Sequence, residues 1–340
     1  MVRLDPAAPI GQDGAMRVVV CPDKFKGSAT APEIAGACIE ALRDRGHHPV
    51  AIPMADGGDG TLEALGGANR QMLVTGPLGD PVEATWRLKN RVAVIEMARA
   101  SGLVLAGGAD GNDPLAATTS GTGELIAEAV ALGARRVIVG VGGSATTDGG
   151  LGAIRAMEPL ARYRGVDIVV ACDVRLPFLE AARVFGPQKG ASPAQIELLS
   201  RRLERLADVY EAQYGVTVRD LARSGAAGGL AGGLAAVGAE LVEGFDVVAD
   251  EVGLVEAIEG ADLVITGEGA LDAESFDGKV VGGVVGLASE FGVPVTVLAG
   301  VVDDIALPDG CRAVSLSETF GLERSLTQPL DCVREAVAGL

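Results

Sequence analysis

Short β-branched runs alternate along the chain with longer amphipathic stretches and Gly-rich punctuation. Arg17–Cys21 (RVVVC), closed by Pro22, has the all-apolar character of a parallel strand buried on both faces. Thr30, Pro32 and Glu33 form a helix start, with Thr30 or Ala31 at the cap. That helix runs to about Arg45, and Gly46 ends it. Pro49–Pro53 is a second strand, so the opening segment reads as a βαβ unit with Rossmann-like spacing. Gln71–Thr75, Val82–Leu88 and Val92–Met97 are strands separated only by turns, which predicts antiparallel pairing. Alternation resumes with a helix at Gly121–Leu132, a strand at Arg136–Val141, a helix from about Gly149 and a strand at Val166–Ala171. Pro193–Tyr214 is a long amphipathic helix, capped by Ser192, with Arg201, Arg202, Glu204 and Arg205 on its charged face. Gly225–Gly238 interleaves Leu and Ala with its glycines. It reads as a turn entering a close-packed helix rather than as a linker. Asp262–Thr266 and Pro294–Ala299 are late parallel strands, with a helix near Gly282–Phe291 between them.

The expected fold class is α/β with two domains. A Rossmann-like parallel-sheet domain is discontinuous, built from 16–67 and 252–340. A second, mixed α/β domain is inserted over 68–251, and the active cleft is expected between them. Residues 1–15 lack the apolar core of a leader and hold Pro6, Pro9, Gly11 and Gly14, so a disordered extension is expected there.

Composition narrows the classes of function. The chain has 340 residues, 48% hydrophobic but only 3% aromatic, so its cores must be built from Ala, Val, Leu and Ile. A net charge of −18 argues against nucleic acid and anionic membranes as partners. Five scattered cysteines without a CxxC pair read as reduced core residues of a cytoplasmic protein. No apolar run is long enough to span a membrane.

Polar and Gly clusters follow the predicted strands. They are Asp23, Lys24 and Lys26; Asp56, Gly57, Gly58, Asp59 and Gly60; Gly142–Asp148; Asp173; and Gly267, Glu268, Gly269 and Asp272. In such folds ligands bind at the carboxyl ends of parallel strands. The alternative is that each cluster is an ordinary turn. The loop Gly142–Gly150 carries Gly142, Gly143, Ser144 and Thr146 ahead of a helix, whose positive end is expected to face an anion. A second anion candidate is Thr118, Thr119, Ser120 and Gly121, and its alternative is a plain helix cap. Lys24, Lys26, Lys189 and Lys279 lie in loops and suit phosphate oxygens. The only histidines are His47 and His48, adjacent in a turn, so proton removal falls to a carboxylate or a lysine. Asp173 and Asp148 are the candidates, while Glu268 and Asp272 suit Mg²⁺.

These same segments resemble the type I glycerate kinase family (glycerate 2-kinase). The matching stretches include PDKFKGSATAPE (22–33), PMADGGDGT (53–61), TGPLGDPVEA (75–84), DPLAATTSGTGELI (113–126), GVGGSATTDGGLG (140–152), VFGPQKGAS (184–192) and ITGEGALD (265–272). They follow family order over nearly the whole chain after Met16. The resemblance implies ATP with Mg²⁺ as phosphoryl donor and D-glycerate as acceptor. It implies that Asp23, Asp56, Gly57, Gly58 and Asp59 bind the acceptor. Lys24, Lys279 and the two Gly-Ser/Thr loops would then hold the nucleotide, with Lys26, Lys189, Asp148 and Asp173 at the chemistry. Kinases of other small hydroxy acids and a non-catalytic paralogue are the alternatives, and a homo-oligomer is compatible with either. The chain departs from the family pattern where Ile154–Gly165 is shortened, and at Thr147 and Ala270, where Asn and Arg are usual.

Overall fold

The computed structural model describes residues 14–276 and 278–340. The extension expected over 1–15 therefore lies outside the described residues, apart from Gly14 and Ala15. The chain divides into two compact units, Met1–Asp56 with Val248–Leu340, and Gly57–Val247.

The first unit opens with β1 (Arg17–Val20), α1 (Ala31–Asp44) and β2 (His48–Ala51). Thr30 caps α1 reciprocally: its Oγ1 accepts from the Glu33 amide at 3.4 Å and its own amide donates to Glu33 Oε2 at 2.8 Å. Such a cap contributes about 1 kcal/mol.

The second unit follows without interruption. It holds α2 (Thr61–Ala64), β3 (Arg70–Thr75), β4 (Pro81–Lys89), β5 (Val92–Glu96), α3 (Ser120–Ala131) and β6 (Arg136–Gly140). It continues with α4 (Leu151–Met157), β7 (Asp167–Ala171), α5 (Pro193–Tyr214), α6 (Leu230–Ala236) and β8 (Glu240–Val242). Its sheet has the order β3-β4-β5-β6-β7-β8. The β3/β4 and β4/β5 pairs are antiparallel, and every pair from β5 to β8 is parallel. Trp86, Ile95, Leu125, Val139 and Leu230 are buried together in its core.

The chain then returns to the first unit with β9 (Leu263–Leu271), α7 (Val280–Glu290), β10 (Val295–Val302), β11 (Cys311–Ser315) and α8 (Pro329–Ala338). All pairs in its sheet, order β11-β10-β9-β1-β2, are parallel. Val18, Val20, Ile34, Cys38, Ile265 and Val333 form the core between sheet and helices. The thiols are free, and four of the five are buried. Among the described residues no helix is long and apolar enough to cross a membrane.

Two boundaries differ from the sequence reading for physical reasons. The chain changes unit after Asp56, not after 67, because Leu62 of α2 packs on Val94 and Ile138 of the second sheet. β9 runs on past Thr266 to Leu271, pairing Glu268 with Ala299 and Ala270 with Val301. Gly267, Glu268 and Gly269 are therefore strand residues rather than a loop after it.

Gly228 shows why the segment before α6 is rich in glycine. Its φ is +68°, and a Cβ there would lie 1.9 Å from the Thr146 carbonyl oxygen. Gly228→Ala is expected to cost about 2–4 kcal/mol, from the left-handed backbone plus overpacking. Gly67→Ala is the control. Its φ is +74° with nothing within 4 Å of the added Cβ, so it should lose only the backbone part. Urea midpoints of the two variants measure the difference.

Candidate active site

The second unit holds a cavity of about 340 Å³ at the carboxyl ends of β6 and β7. Gly57, Gly58, Gly142, Gly143, Ser144, Asp173 and Lys189 all line it. The glycines let the two loops touch: a Cβ on Gly142 would lie 2.8 Å from Gly58 Cα, and one on Gly57 2.8 Å from the Ala171 backbone. Glu96, 5% exposed at the end of β5, ties the 57–61 loop down. Its Oε1 accepts from the Gly60 and Leu62 amides at 2.9 and 3.0 Å, and its Oε2 accepts from Arg99 Nε at 2.9 Å.

Lys189 is 2% exposed. Its Nζ donates to Ser144 Oγ at 2.8 Å and to the Thr146 carbonyl at 2.7 Å. Burial pushes its pKa down from the usual lysine value to about 7, and the charge of Asp148 offsets this only in part. The backbone N–H groups of Gly142, Gly143 and Ser144 have no hydrogen-bond partner among the described residues. Consecutive free amides beside a buried ammonium form a concavity suited to a phosphate or carboxylate.

Asp148 does not join this group. Its Oδ2 accepts from Thr119 N and Oγ1, both at 2.9 Å, and from Gly152 N at 3.2 Å; its Oδ1 accepts from Gly150 N at 3.1 Å. The carboxylate therefore takes up the amides at the start of α4, which the sequence reading assigned to an external anion. Thr118, Thr119, Ser120 and Gly121 do not line the cavity either. The hydroxyls of Thr118 and Ser120 bond each other at 2.8 Å, and Thr119 Oγ1 accepts from Ala153 N at 2.9 Å. Sequence reasoning missed Leu103, Val174, Phe185 and Gln188 in the lining, since apolar and amide side chains in loops carry no motif signal.

Asp59 lies in the same unit as this cavity, its Oδ1 3.2 Å from where Gly143 would carry a Cβ; the remaining candidates belong to the first unit. The five polar clusters thus divide between two sheets: those after β1 and in β9, with Asp56 after β2, in one unit, and those after β6 and β7 in the other. Asp23 N donates to the Gly267 carbonyl at 2.8 Å, and Asp23 Oδ1 accepts from Lys24 N at 2.7 Å. Burial raises the Asp23 carboxyl to about 7. Lys24 opposes that rise, and the neighbouring charges of Asp56 and Glu268 add to it. Burial raises Glu268 as well, against Ser275 and Lys279 and with Asp272 and Asp56. Glu268 Oε1 is buried with no hydrogen-bond partner. Lys279 Nζ lies 3.6 Å from Glu274. The Lys26 amide lies 3.2 Å from where Gly269 would carry a Cβ, so Lys26 sits against β9. Among the described residues no three His, Cys, Asp or Glu side chains converge as a metal cage.

Free amides and a buried lysine at the strand ends of a mixed α/β unit are what a site for an anionic, phosphate-type group requires. Comparison with known proteins narrows this class. The model of the glycerate kinase family matches residues 18–159 and 157–340. The two matches meet inside the shortened stretch Ile154–Gly165. Glycerate 2-kinase of Escherichia coli (strain K12) is 40% identical over 333 residues, 86% of this chain and 87% of that protein. Glycerate kinase of Bacillus subtilis (strain 168) is 40% identical over 327 residues, 84% of this chain and 85% of that protein. The crystal structure of a putative glycerate kinase 2 from Salmonella typhimurium LT2 superposes with a TM-score of 0.82 at 36% identity, covering 96% of this chain and 97% of the other. This chain belongs to the glycerate kinase family.

Proposed function

We propose that this chain transfers the γ-phosphoryl group of ATP to D-glycerate, giving 2-phosphoglycerate and ADP. The observation that carries the reading is the cavity of the second unit, lined by Gly142, Gly143 and Ser144, where Lys189 Nζ donates to Ser144 Oγ. Phosphoryl transfer needs alignment and charge neutralisation more than covalent chemistry, and this arrangement offers both. Asp173 lines the same cavity and accepts the hydroxyl proton as the new O–P bond forms and the β,γ-bridging P–O bond breaks. Asp23, Asp56, Gly57, Gly58 and Asp59 are proposed for the acceptor. Lys24 and Lys279 are proposed for the nucleotide, and Lys26 for the chemistry.

The first unit's carboxylates fit Mg²⁺. The buried, unpartnered Glu268 Oε1 is an acceptor in want of a cation. Mg²⁺ takes one or two carboxylates and completes its shell with water and phosphate oxygens, so no three-carboxylate cage is needed. Glu268 and Asp272 would hold it, and it would neutralise charge on the phosphates.

The test is acceptor-dependent ADP release, coupled to NADH oxidation, with ATP, Mg²⁺ and D-glycerate against L-glycerate, other small hydroxy acids and no acceptor. Turnover specific to D-glycerate is the expected result. ADP release only with another hydroxy acid would replace the acceptor. Folded protein without any acceptor-dependent release would overturn the kinase reading in favour of a binding role.

A further inference from the structure

The strands β5, β6 and β7 lie side by side in the second sheet, and a loop leaves the carboxyl end of each. Lys189 stands in the loop after β7, and its Nζ donates to Ser144 Oγ and to the Thr146 carbonyl in the loop after β6. Asn112, in the loop after β5, holds both. Its Nδ2 donates to the Lys189 carbonyl at 2.9 Å and to the Ala145 carbonyl at 3.0 Å. Ala145 stands between the two residues that accept from the ammonium. The lysine is thus joined twice to the same short stretch, by its own side chain and, through Asn112, by its backbone. Asn112 is anchored in turn. Its amide donates to the Gly108 carbonyl at 3.1 Å, and the same loop seats against Gly190, where a Cβ would lie 2.2 Å from the Ala109 carbonyl oxygen.

Both N–H groups of the Asn112 side chain are engaged by main-chain carbonyls, while its Oδ1 is buried with no hydrogen-bond partner. An unpaired buried acceptor is destabilising. What the asparagine supplies is therefore its donors, two on one atom and aimed at two loops. Asn112 does not line the cavity, so it acts on it through Lys189. We propose that Asn112 is a positioning residue for Lys189, clipping the lysine's backbone to the loop that receives its ammonium, so that the ammonium stays in its buried seat at the cavity wall. The consequence for catalysis rests on the proposed phosphoryl transfer; the seating of the lysine does not. Asp148 is the charge that acts on Lys189 from the loop after β6, and Asp173 lines the same cavity.

The experiment is a double-mutant cycle of Asn112→Ala with Lys189→Met in the full chain, read by urea midpoints across neutral and mildly alkaline pH and by kcat and KM for ADP release. In the wild type the midpoint should rise with pH above about 7, as the buried ammonium loses its proton. Asn112→Ala should flatten that rise to the level of Lys189→Met, because an unclipped lysine reaches water. A merely structural asparagine would lower the midpoint equally at every pH. In kinetics Asn112→Ala should lower kcat by about 10–10²-fold, the scale of a small misplacement, with KM little changed. The double variant should be no slower than Lys189→Met alone, since the two residues act as one unit. If Asn112→Ala does not fold, Asn112→Ser takes its place under the same readings. The proposal is overturned by a wild-type midpoint that does not rise, by a rise that survives in the Asn112 variant, or by losses in kcat that multiply in the double variant. A wild type that releases no acceptor-dependent ADP overturns the kinase reading instead, and the midpoints still decide on the seat.

Discussion

Lys189→Met is expected to lower kcat by about 10²–10³-fold with the fold intact, the scale for removing one preorganised donor to developing transition-state charge. Methionine fills the space of the lysine stem and leaves the Ser144 hydroxyl and Thr146 carbonyl without their donor. The effect should fall mainly on kcat, because the amides of Gly142, Gly143 and Ser144, proposed to hold the ground-state anion, are untouched by the substitution. The same variant isolates a pH effect. Lys189 is neutral more readily in the folded protein, near pH 7, than in the unfolded chain, where its value is 10.5. Between these values the unfolded state binds more protons, so stability rises with pH. The cost of a buried charge is present in full below about 7 and is relieved as pH climbs toward the unfolded value. Wild-type stability should therefore gain on the order of 1 kcal/mol per pH unit from pH 7 upward relative to Lys189→Met. Urea midpoints between pH 6 and 9 measure it. A constant difference between the two proteins across that range would mean that the ammonium is not desolvated. In kinetics, kcat/KM should fall as pH rises through about 7, since the charged form is the one that neutralises phosphate.

The periodic elements were legible because local chemistry and tertiary packing agree on them. Thr30 with Glu33, and Ser192 with Pro193 and Gln195, announce helix starts that the structure builds as reciprocal caps. The turns GPLGDP and KN force β3, β4 and β5 into antiparallel neighbours. The strand β8 was not legible: Glu240–Val242 is three residues long and half-exposed, so neither periodicity nor length marks it. β11 (Cys311–Ser315) lies at the sheet edge with an Arg and a Ser in it, and reads as loop. Of the residues lining the cavity, sequence reasoning named the Gly-rich loop after β6 and Lys189. It could not tell a carboxylate that caps a helix from one that lines the cavity. Asp148 and Asp173 both follow strands, and only the tertiary placement of the Thr119 hydroxyl separates them. The Gly-Ser/Thr stretch 118–121 misleads for the same reason. Its hydroxyls close a loop internally instead of opening toward an anion.

That separation makes the second large effect a paired one. Asp173→Asn is expected to lower kcat by about 10²–10⁴-fold, the range for losing a positioned general base. It should leave stability within about 0.5 kcal/mol, because Asp173 is exposed. Asparagine keeps the shape and one acceptor oxygen, so acceptor binding should change little. Asp148→Ala should do the opposite. It strips the acceptor from the amides of Thr119, Gly150 and Gly152 and from the Thr119 hydroxyl, and should destabilise the protein by about 3 kcal/mol or more. Its residual activity, measured well below its unfolding transition, should exceed that of Asp173→Asn. Should Asp148→Ala be folded and stable but as inactive as Asp173→Asn is expected to be, the proton would have to pass to Asp148. The saturated carboxylate would then have to release at least one of its donors on substrate binding, an event that amide exchange at Gly150 and Gly152 would register.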